Sequence, residues 1–342
     1  MVSRNGTEAS ALPVDLPIVQ APMAGGPSTP ELAAAVSNAG GLGFLAAGYK
    51  TTEAMRADIA ATRELTSRPF GMNVFMPSLD EIDPAEVAAY RDLLAPEAAR
   101  LGVEPGTPGA RDDDYDAKIA DLVSDPPAVV SFTFGCPAPD VIRALKDRGA
   151  TVVVTVTSVD EVRHASAADA LCLQGPEAGG HRGSFTNTLQ DSLPLRALVP
   201  AVRGMTRQPL IAAGGLATAA DVAEVLSLGA VAAQLGTAFL RCPESGASDV
   251  HKAALTDPRY TSTAMTRAFS GRPARGLVNR FLTEHSGDAP AAYPDVHYVT
   301  APLRRAAAAQ GDPEGVNLWA GESFRETTET PAAALVESLA PA

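Results

Sequence analysis

The sequence predicts an α/β fold, a (β/α)8 barrel, on three observations. Eight short apolar runs recur along the chain with helical patterns between them. These runs are apolar on both faces, as strands covered by helices must be. The first strand–helix turn, APMAGGPSTP, lacks the GxGxxG that a doubly wound dinucleotide-binding sheet brings. Eight strands, each followed by a helix, match the barrel in count and length.

The strands in order are Pro17–Pro22 (PIVQAP), Leu42–Ala47 (LGFLAA), Phe70–Phe75 (FGMNVF) and Ala128–Phe134 (AVVSFTF). Thr151–Val156 (TVVVTV), Ala170–Gly175 (ALCLQG), Pro209–Gly215 (PLIAAGG) and Ala230–Thr237 (AVAAQLGT) complete them. Thr29 can cap the first helix and Pro30 start it, with Leu32, Ala33 and Val36 on one face and Gly40 ending it. Asp140–Arg148, Val159–Ala167 and Ala219–Leu228 repeat that pattern, and Gly149 and Gly229 stand where two of these helices should stop. The expected domain plan is a barrel core over 12–240, with 76–127 inserted after strand 3, and a mainly helical C-terminal lobe over 241–342 packing on the barrel mouth. The inserted segment, which holds the acidic run Asp112–Asp114, reads as a solvated loop or a helical insertion.

Composition narrows the function. With 342 residues, 46% hydrophobic and 20% charged, the chain can bury a sizeable core. A net charge of −13 argues against nucleic acid and anionic membrane as partners and leaves small molecules. Cys136, Cys172 and Cys242 are widely spaced, without CxxC or Cys/His ligand spacing, so neither a disulfide framework nor a metal site is expected. The leading MVSRNGTEASALPVD has no apolar run of signal length, and no 18-residue apolar stretch follows. The expectation is a cytoplasmic protein, monomer or homodimer.

A barrel carries its site at the C-terminal ends of its strands. Those ends supply Pro22 and Met23, Asn73, Gln174 through His181, Gly214 and Gly215, and Gln234 through Thr237. Glycines after strands seven and eight let backbone N–H groups approach an anion, so Gly214, Gly215, Gly236 and the Thr237 hydroxyl form a candidate phosphate site; tight turns are the other reading. Asn73 and Gln174 offer amides that suit a ring edge such as a flavin's, or a hydrogen bond to a neighbouring loop. His181, in LCLQGPEAGGHRGSF, is the candidate catalytic residue, because its imidazole lies past a strand end between Gly179, Gly180 and Gly183. Arg267, Arg272, Arg275 and Arg280 read equally as an anion clamp or as surface arginines paired with carboxylates. Trp319 reads as core, with the lining of a cleft as its other reading.

Five segments together carry a resemblance: PIVQAPMAGGPSTPELAAAVSNAGGLGFL, GMNVFMP, LQGPEAGGHRGSF, AAGGLATAADV and AAQLGTAFL. In this order they resemble the nitronate monooxygenase (2-nitropropane dioxygenase-like) family, bacterial class I. The likeness runs from about Pro17 to Leu240, with echoes in SGRPARGLVN and LWAGESF. It implies a TIM barrel binding FMN through Met23, Asn73, Gln174, Gly179, Gly215, Gln234, Gly236 and Thr237, with Pro22, Gly180, Gly214 and Leu235 in the same loops. His181 matches the family's catalytic histidine. The implied reaction is oxidation of an alkyl nitronate, such as propionate 3-nitronate, by O2 to a carbonyl product and nitrite. The alternative on the same loops is an FMN-dependent NAD(P)H reductase of enoyl-acyl-carrier-protein or quinone type. TFGCPAPD departs from the pattern and puts Cys136 beside the expected flavin. Tyr260, Tyr293, Tyr298, Arg272 and Arg275 are candidates to hold a substrate carboxylate.

Overall fold

The computed structural model describes residues 12–78, 80–188 and 192–341. The chain runs β1 (Ile18–Gln20), α1 (Pro30–Asn38), β2 (Gly43–Ala46), α2 (Thr52–Leu65), β3 (Phe70–Phe75), α3 (Pro84–Leu93), α4 (Ala95–Leu101) and α5 (Tyr115–Ser124). It continues through β4 (Val129–Thr133), α6 (Pro139–Asp147), β5 (Thr151–Val156), α7 (Val159–His164), β6 (Ala170–Gln174) and the two-residue β7 (Gly180–His181). Then come α8 (Leu195–Arg203), β8 (Leu210–Ala213), α9 (Ala219–Ser227) and β9 (Ala232–Leu235). The remainder holds α10 (Asp249–Ala254), β10 (Thr263–Thr266), β11 (Ala274–Leu277), α11 (Arg280–His285), α12 (Asp295–Ala309) and α13 (Ala332–Leu339).

Eight parallel strands pair in the order β1-β9-β8-β6-β5-β4-β3-β2. A parallel bridge between Val19 and Leu42 joins β1 to β2 and closes the (β/α)8 barrel. Every apolar run singled out in the sequence contains one of these strands. The local signals work as expected: the Thr29 side chain accepts from Leu32 N, Pro30 opens α1, and Thr218 and Asp221 form a reciprocal capping box on α9. Gly149 and Gly229 follow α6 and α9 at φ +86° and +108°.

Strand alternation divides the barrel interior into a dry floor and a polar rim. Val19, Phe44, Val129, Val153, Ala170, Ile211 and Ala232 form the floor. Gly71 is required there, since a Cβ would lie 2.3 Å from the Phe44 ring. Two or four residues further along, the inward positions become Asn73, Thr133, Thr155, Gln174 and Gln234. Outward residues of the same strands pack on the surrounding helices in one apolar core.

Two helices from segments expected outside the barrel complete its outer ring. α5, from the 76–127 segment, packs on α2 and α6, and α13, at the far end of the chain, packs on α1 and α9. α3 and α4 instead join α10, α11 and α12 around Tyr90, Phe269, Phe281 and Leu303 in a second core. The C-terminal segment also carries strands: β10 and β11 form an antiparallel sheet with β7, pairing Ala274 with His181. The inserted segment is thus helical rather than a solvated loop, and within its acidic run Asp112 and Asp114 are exposed while Asp113 is not. Asp113 pairs with the buried Lys118 at 2.8 Å and accepts from Tyr49 N at 3.0 Å. No helix among the described residues is long and apolar enough to cross a membrane.

Candidate active site

A cavity of about 430 Å³ lies between the strand ends and the second core. Pro22, Met23, Asn73, Gln174, Gly179, Gly180, His181, Gly214, Gly215, Gln234, Leu235, Gly236 and Thr237 all line it.

The glycines after β8 and β9 have specific reasons to be glycine. Gly214 and Gly215 stand at φ +117° and +66°, in the left-handed region that L side chains avoid. A Cβ on Gly214 would meet the Ala178 backbone N at 3.0 Å, and one on Gly179 would sit 2.5 Å from the Ala320 carbonyl carbon. The backbone N–H groups of Gly214, Gly215 and Gly236 make no hydrogen bond among the described residues. Unpaired donors at the rim of a cavity suit an oxoanion. Beside them the Thr237 hydroxyl accepts from Gly321 N at 3.0 Å and keeps its own hydrogen to donate. These residues fit a phosphate.

The two amides behave differently. Asn73 donates from Nδ2 to Ser131 Oγ at 2.8 Å and Thr133 Oγ1 at 3.0 Å, leaving its oxygen without a partner among the described residues. Gln174 spends both ends on the glycine loop: Nε2 donates to the His181 carbonyl at 3.0 Å and Oε1 accepts from Gly183 N at 2.8 Å. Its side chain therefore holds the loop in register.

His181 is set by the C-terminal segment. Its backbone pairs with β11, and Arg182 N donates to the Pro273 carbonyl at 2.8 Å. Its Nε2 lies 2.9 Å from Ser270 Oγ, whose hydroxyl can donate to the Arg272 carbonyl at 3.2 Å. In that arrangement Nε2 carries the proton and Nδ1 keeps the lone pair. Phe134, Tyr293 and Trp319 surround the ring at centroid distances of 6.0, 5.7 and 5.5 Å. Burial, reinforced by the positive charges of Arg272 and Arg304, pushes its pKa down to about 3. The imidazole is therefore neutral at physiological pH, with Nδ1 unprotonated.

Sequence reading failed at several places. The arginine group neither clamps one anion nor lies on the surface as a set. Arg272 is 2% exposed, stacks 4.0 Å from the Phe134 ring centroid, and donates to the carbonyls of Arg182 and Ser184. Arg275 donates to the Pro176 carbonyl and Arg267 to that of Asn187, so the three brace the loop that carries His181. Two of the four do meet carboxylates: Arg280 pairs with Glu97 and Glu284, and Arg275 also reaches Glu322 at 3.2 Å. Cys136 does not line the cavity; its thiol faces the Pro137 carbonyl at 3.6 Å. The cysteine that does line it is Cys172, pushed up to about 12 by burial and therefore an unreactive thiol. Trp319 does both things open to it, lining the cavity while packing against the second core. Tyr260 and Tyr298 turn away, to Glu314 and to the Ala110 carbonyl. Tyr49, His251, Ser270, His297 and Arg304 were not anticipated, yet all line the cavity.

Comparison with known proteins agrees with this fold. The profile of the family described as nitronate monooxygenase matches residues 10–342. The chain belongs to the nitronate monooxygenase family. As a member, it is an oxidoreductase. A probable nitronate monooxygenase of Staphylococcus aureus (strain MSSA476) is 39% identical over 337 residues, covering 96% of this chain and 94% of the relative. Among solved structures, nitroalkane oxidase from Streptomyces ansochromogenes superposes with a TM-score of 0.93 at 54% identity, covering 96% of this chain and 95% of that one. FabK from Thermotoga maritima superposes with a TM-score of 0.75 at 27% identity, covering 98% and 95%.

Proposed function

We propose that the protein binds FMN in this cavity and oxidises alkyl nitronates with O2 to a carbonyl product and nitrite. The observation that carries the proposal is that a neutral imidazole and a row of unpartnered backbone N–H groups open on one cavity. In this reading Gly214, Gly215, Gly236 and the Thr237 hydroxyl hold the phosphate, while Met23 and Pro22 form an apolar wall and the Asn73 oxygen accepts from the ring. FMN supplies redox chemistry that no side chain here can provide. His181 takes the α-proton of a neutral nitroalkane on Nδ1, or faces the nitronate when the substrate arrives already ionised. Ser270 fixes its tautomer, and the surrounding rings keep water from the imidazole. Relatives named nitronate monooxygenase and nitroalkane oxidase support both entry forms of the substrate.

The likeness to FabK favours a second reading, reduction of a substrate at the expense of NAD(P)H. Absorbance of the purified protein separates the two. Flavin bands that change anaerobically on adding propionate 3-nitronate, and ignore NADH, are the expected result. Bleaching by NADH alone would move the protein to the reductases. A protein that shows no flavin bands even after incubation with FMN would overturn both.

A further inference from the structure

The wall of the cavity formed by α12 carries an arginine of unusual standing. Arg304 lines the cavity, and no carboxylate among the described residues lies within ion-pair distance of it. Several arginines of this acidic chain find acidic partners, as Arg100 does with Glu97 and Asp312, Arg111 with Asp295, and Arg196 with Asp221 and Glu224. Arg272, by contrast, is spent on carbonyls of the histidine loop and does not line the cavity. Arg304 is instead held by neutral acceptors. Nε donates to Thr300 Oγ1 at 3.1 Å, one terminal nitrogen to Asn317 Oδ1 at 3.3 Å, and the other to the His297 carbonyl at 3.0 Å. The last nitrogen also lies 3.2 Å from His297 Nδ1, and that imidazole stacks flat on Tyr49 at 3.9 Å. The fork is thus fixed in position while no carboxylate among the described residues compensates its charge, and one N–H of the nitrogen facing Asn317 makes no hydrogen bond among them.

A fixed cation without a counter-ion on a cavity wall is costly unless a ligand supplies the anion. Its neighbour Arg305 also lines the cavity, exposed at the outer edge. The phosphate site argued above occupies other elements, after β8 and β9. We infer that Arg304 is the residue that selects substrates bearing a carboxylate in addition to the nitro or nitronate group. Arg304 receives the carboxylate while the reacting carbon faces His181. This inference rests on the function proposed above, and it adds the specificity residue that the Tyr and Arg candidates of the sequence did not provide.

The test compares two nitronates of equal chain length, propionate 3-nitronate and propyl-1-nitronate, by oxygen consumption with the FMN-loaded protein. Arg304→Met is expected to raise KM for propionate 3-nitronate by about 10- to 100-fold, the range for one charge-assisted hydrogen bond. KM for propyl-1-nitronate should stay within about twofold, and Arg304→Lys should recover part of the loss. Equal losses on both substrates would assign Arg304 to the nitronate itself and overturn the inference. So would loss of flavin from the Arg304→Met protein, or no change on either substrate. A wild-type protein inert toward both nitronates would instead overturn the proposed function. An arm that needs no variant uses the wild type: succinate should compete with propionate 3-nitronate and its diamide should not. Equal inhibition by the two would also overturn the assignment.

Discussion

The two walls of the cavity are built on opposite plans. The barrel wall offers backbone N–H groups, glycines and neutral amides from strand ends whose positions the hydrogen-bonded ladder fixes. The C-terminal wall offers a cation and rings: Arg304, His297, His251 and Trp319, held by side-chain contacts between helices and loops. The barrel wall has almost no charge and suits a cofactor that stays. The other concentrates positive charge and suits an anion that comes and goes. His181 belongs to both, because Gln174 ties its loop to the barrel and β11 ties its strand to the C-terminal segment.

That division can be broken or sharpened by substitution. The largest effect is expected at the shared residue. His181→Asn should retain bound flavin and lower kcat/KM for a neutral nitroalkane by about 10²- to 10⁴-fold, the usual contribution of a general base. Because the wild-type imidazole stays neutral down to about 3, its nitroalkane activity should show no loss centred on the ordinary histidine value of 6.5. A flavin-free variant would return His181 to the barrel wall alone.

Acid should act next, through the C-terminal wall. Burial pushes His251 down to about 4 despite its bond to the Trp319 carbonyl, which favours the charged form. The unfolded chain binds a proton near 6.5 while the folded one refuses it until about 4. His251's share of the stability, present above 6.5, is therefore lost as pH falls through that window, by at most about 3 kcal/mol. His181, also held below its ordinary value, adds a loss of the same sign. Urea unfolding at neutral and mildly acidic pH should show this loss, and His251→Gln should shrink it. An undiminished loss in the variant would place the acid-sensitive group elsewhere.

On the barrel wall, Gly214→Val forces a branched side chain into φ +117° against Ala178. Strain of about 1–3 kcal/mol should weaken FMN by about 10- to 100-fold without changing the preference between nitronates. A changed preference with intact flavin affinity would contradict the division between the walls. The smallest effect is expected from Ser270→Ala. Loss of one net hydrogen bond, about 1 kcal/mol, should cost about fivefold in nitroalkane kcat/KM and leave flavin content unchanged. A matching loss on preformed nitronates would show that Ser270 does more than orient the base.

The same contrast explains what the sequence disclosed. Strands buried on both faces leave runs such as TVVVTV that no other element in this chain imitates. Once the strands are placed, Asn73, Gln174 and Gly214 fall at their ends by counting. Arg304 cannot be found by counting. It reaches the cavity because α12 packs on α3 and α4, and that depends on contacts nearly 200 residues apart in the chain, such as Arg111 with Asp295. Ser270 was hidden for a similar reason, since nothing near SGRPARG specifies that its strand will pair with Gly180 and His181. Gln174 was found while its partners were missed: its place follows from the strand, but the loop that consumes its amide folds back over nine residues. Cys136 was misplaced because Phe134 takes a left-handed conformation at φ +76°, turning the chain after β4 away from the line of the strand.

The pairing of β7 with β11 has a consequence for how relatives of this enzyme can diverge. A barrel usually lets one loop be exchanged while its neighbours stay, so that selectivity is altered piecemeal. Here the histidine strand is one edge of a small sheet whose other two strands, β11 and β10, belong to the C-terminal segment that also walls the cavity. Grafting a foreign C-terminal segment onto this scaffold would remove the histidine's scaffolding along with the old wall. New selectivity must therefore come from single side chains on α12, or from a transplant that carries the glycine loop with it.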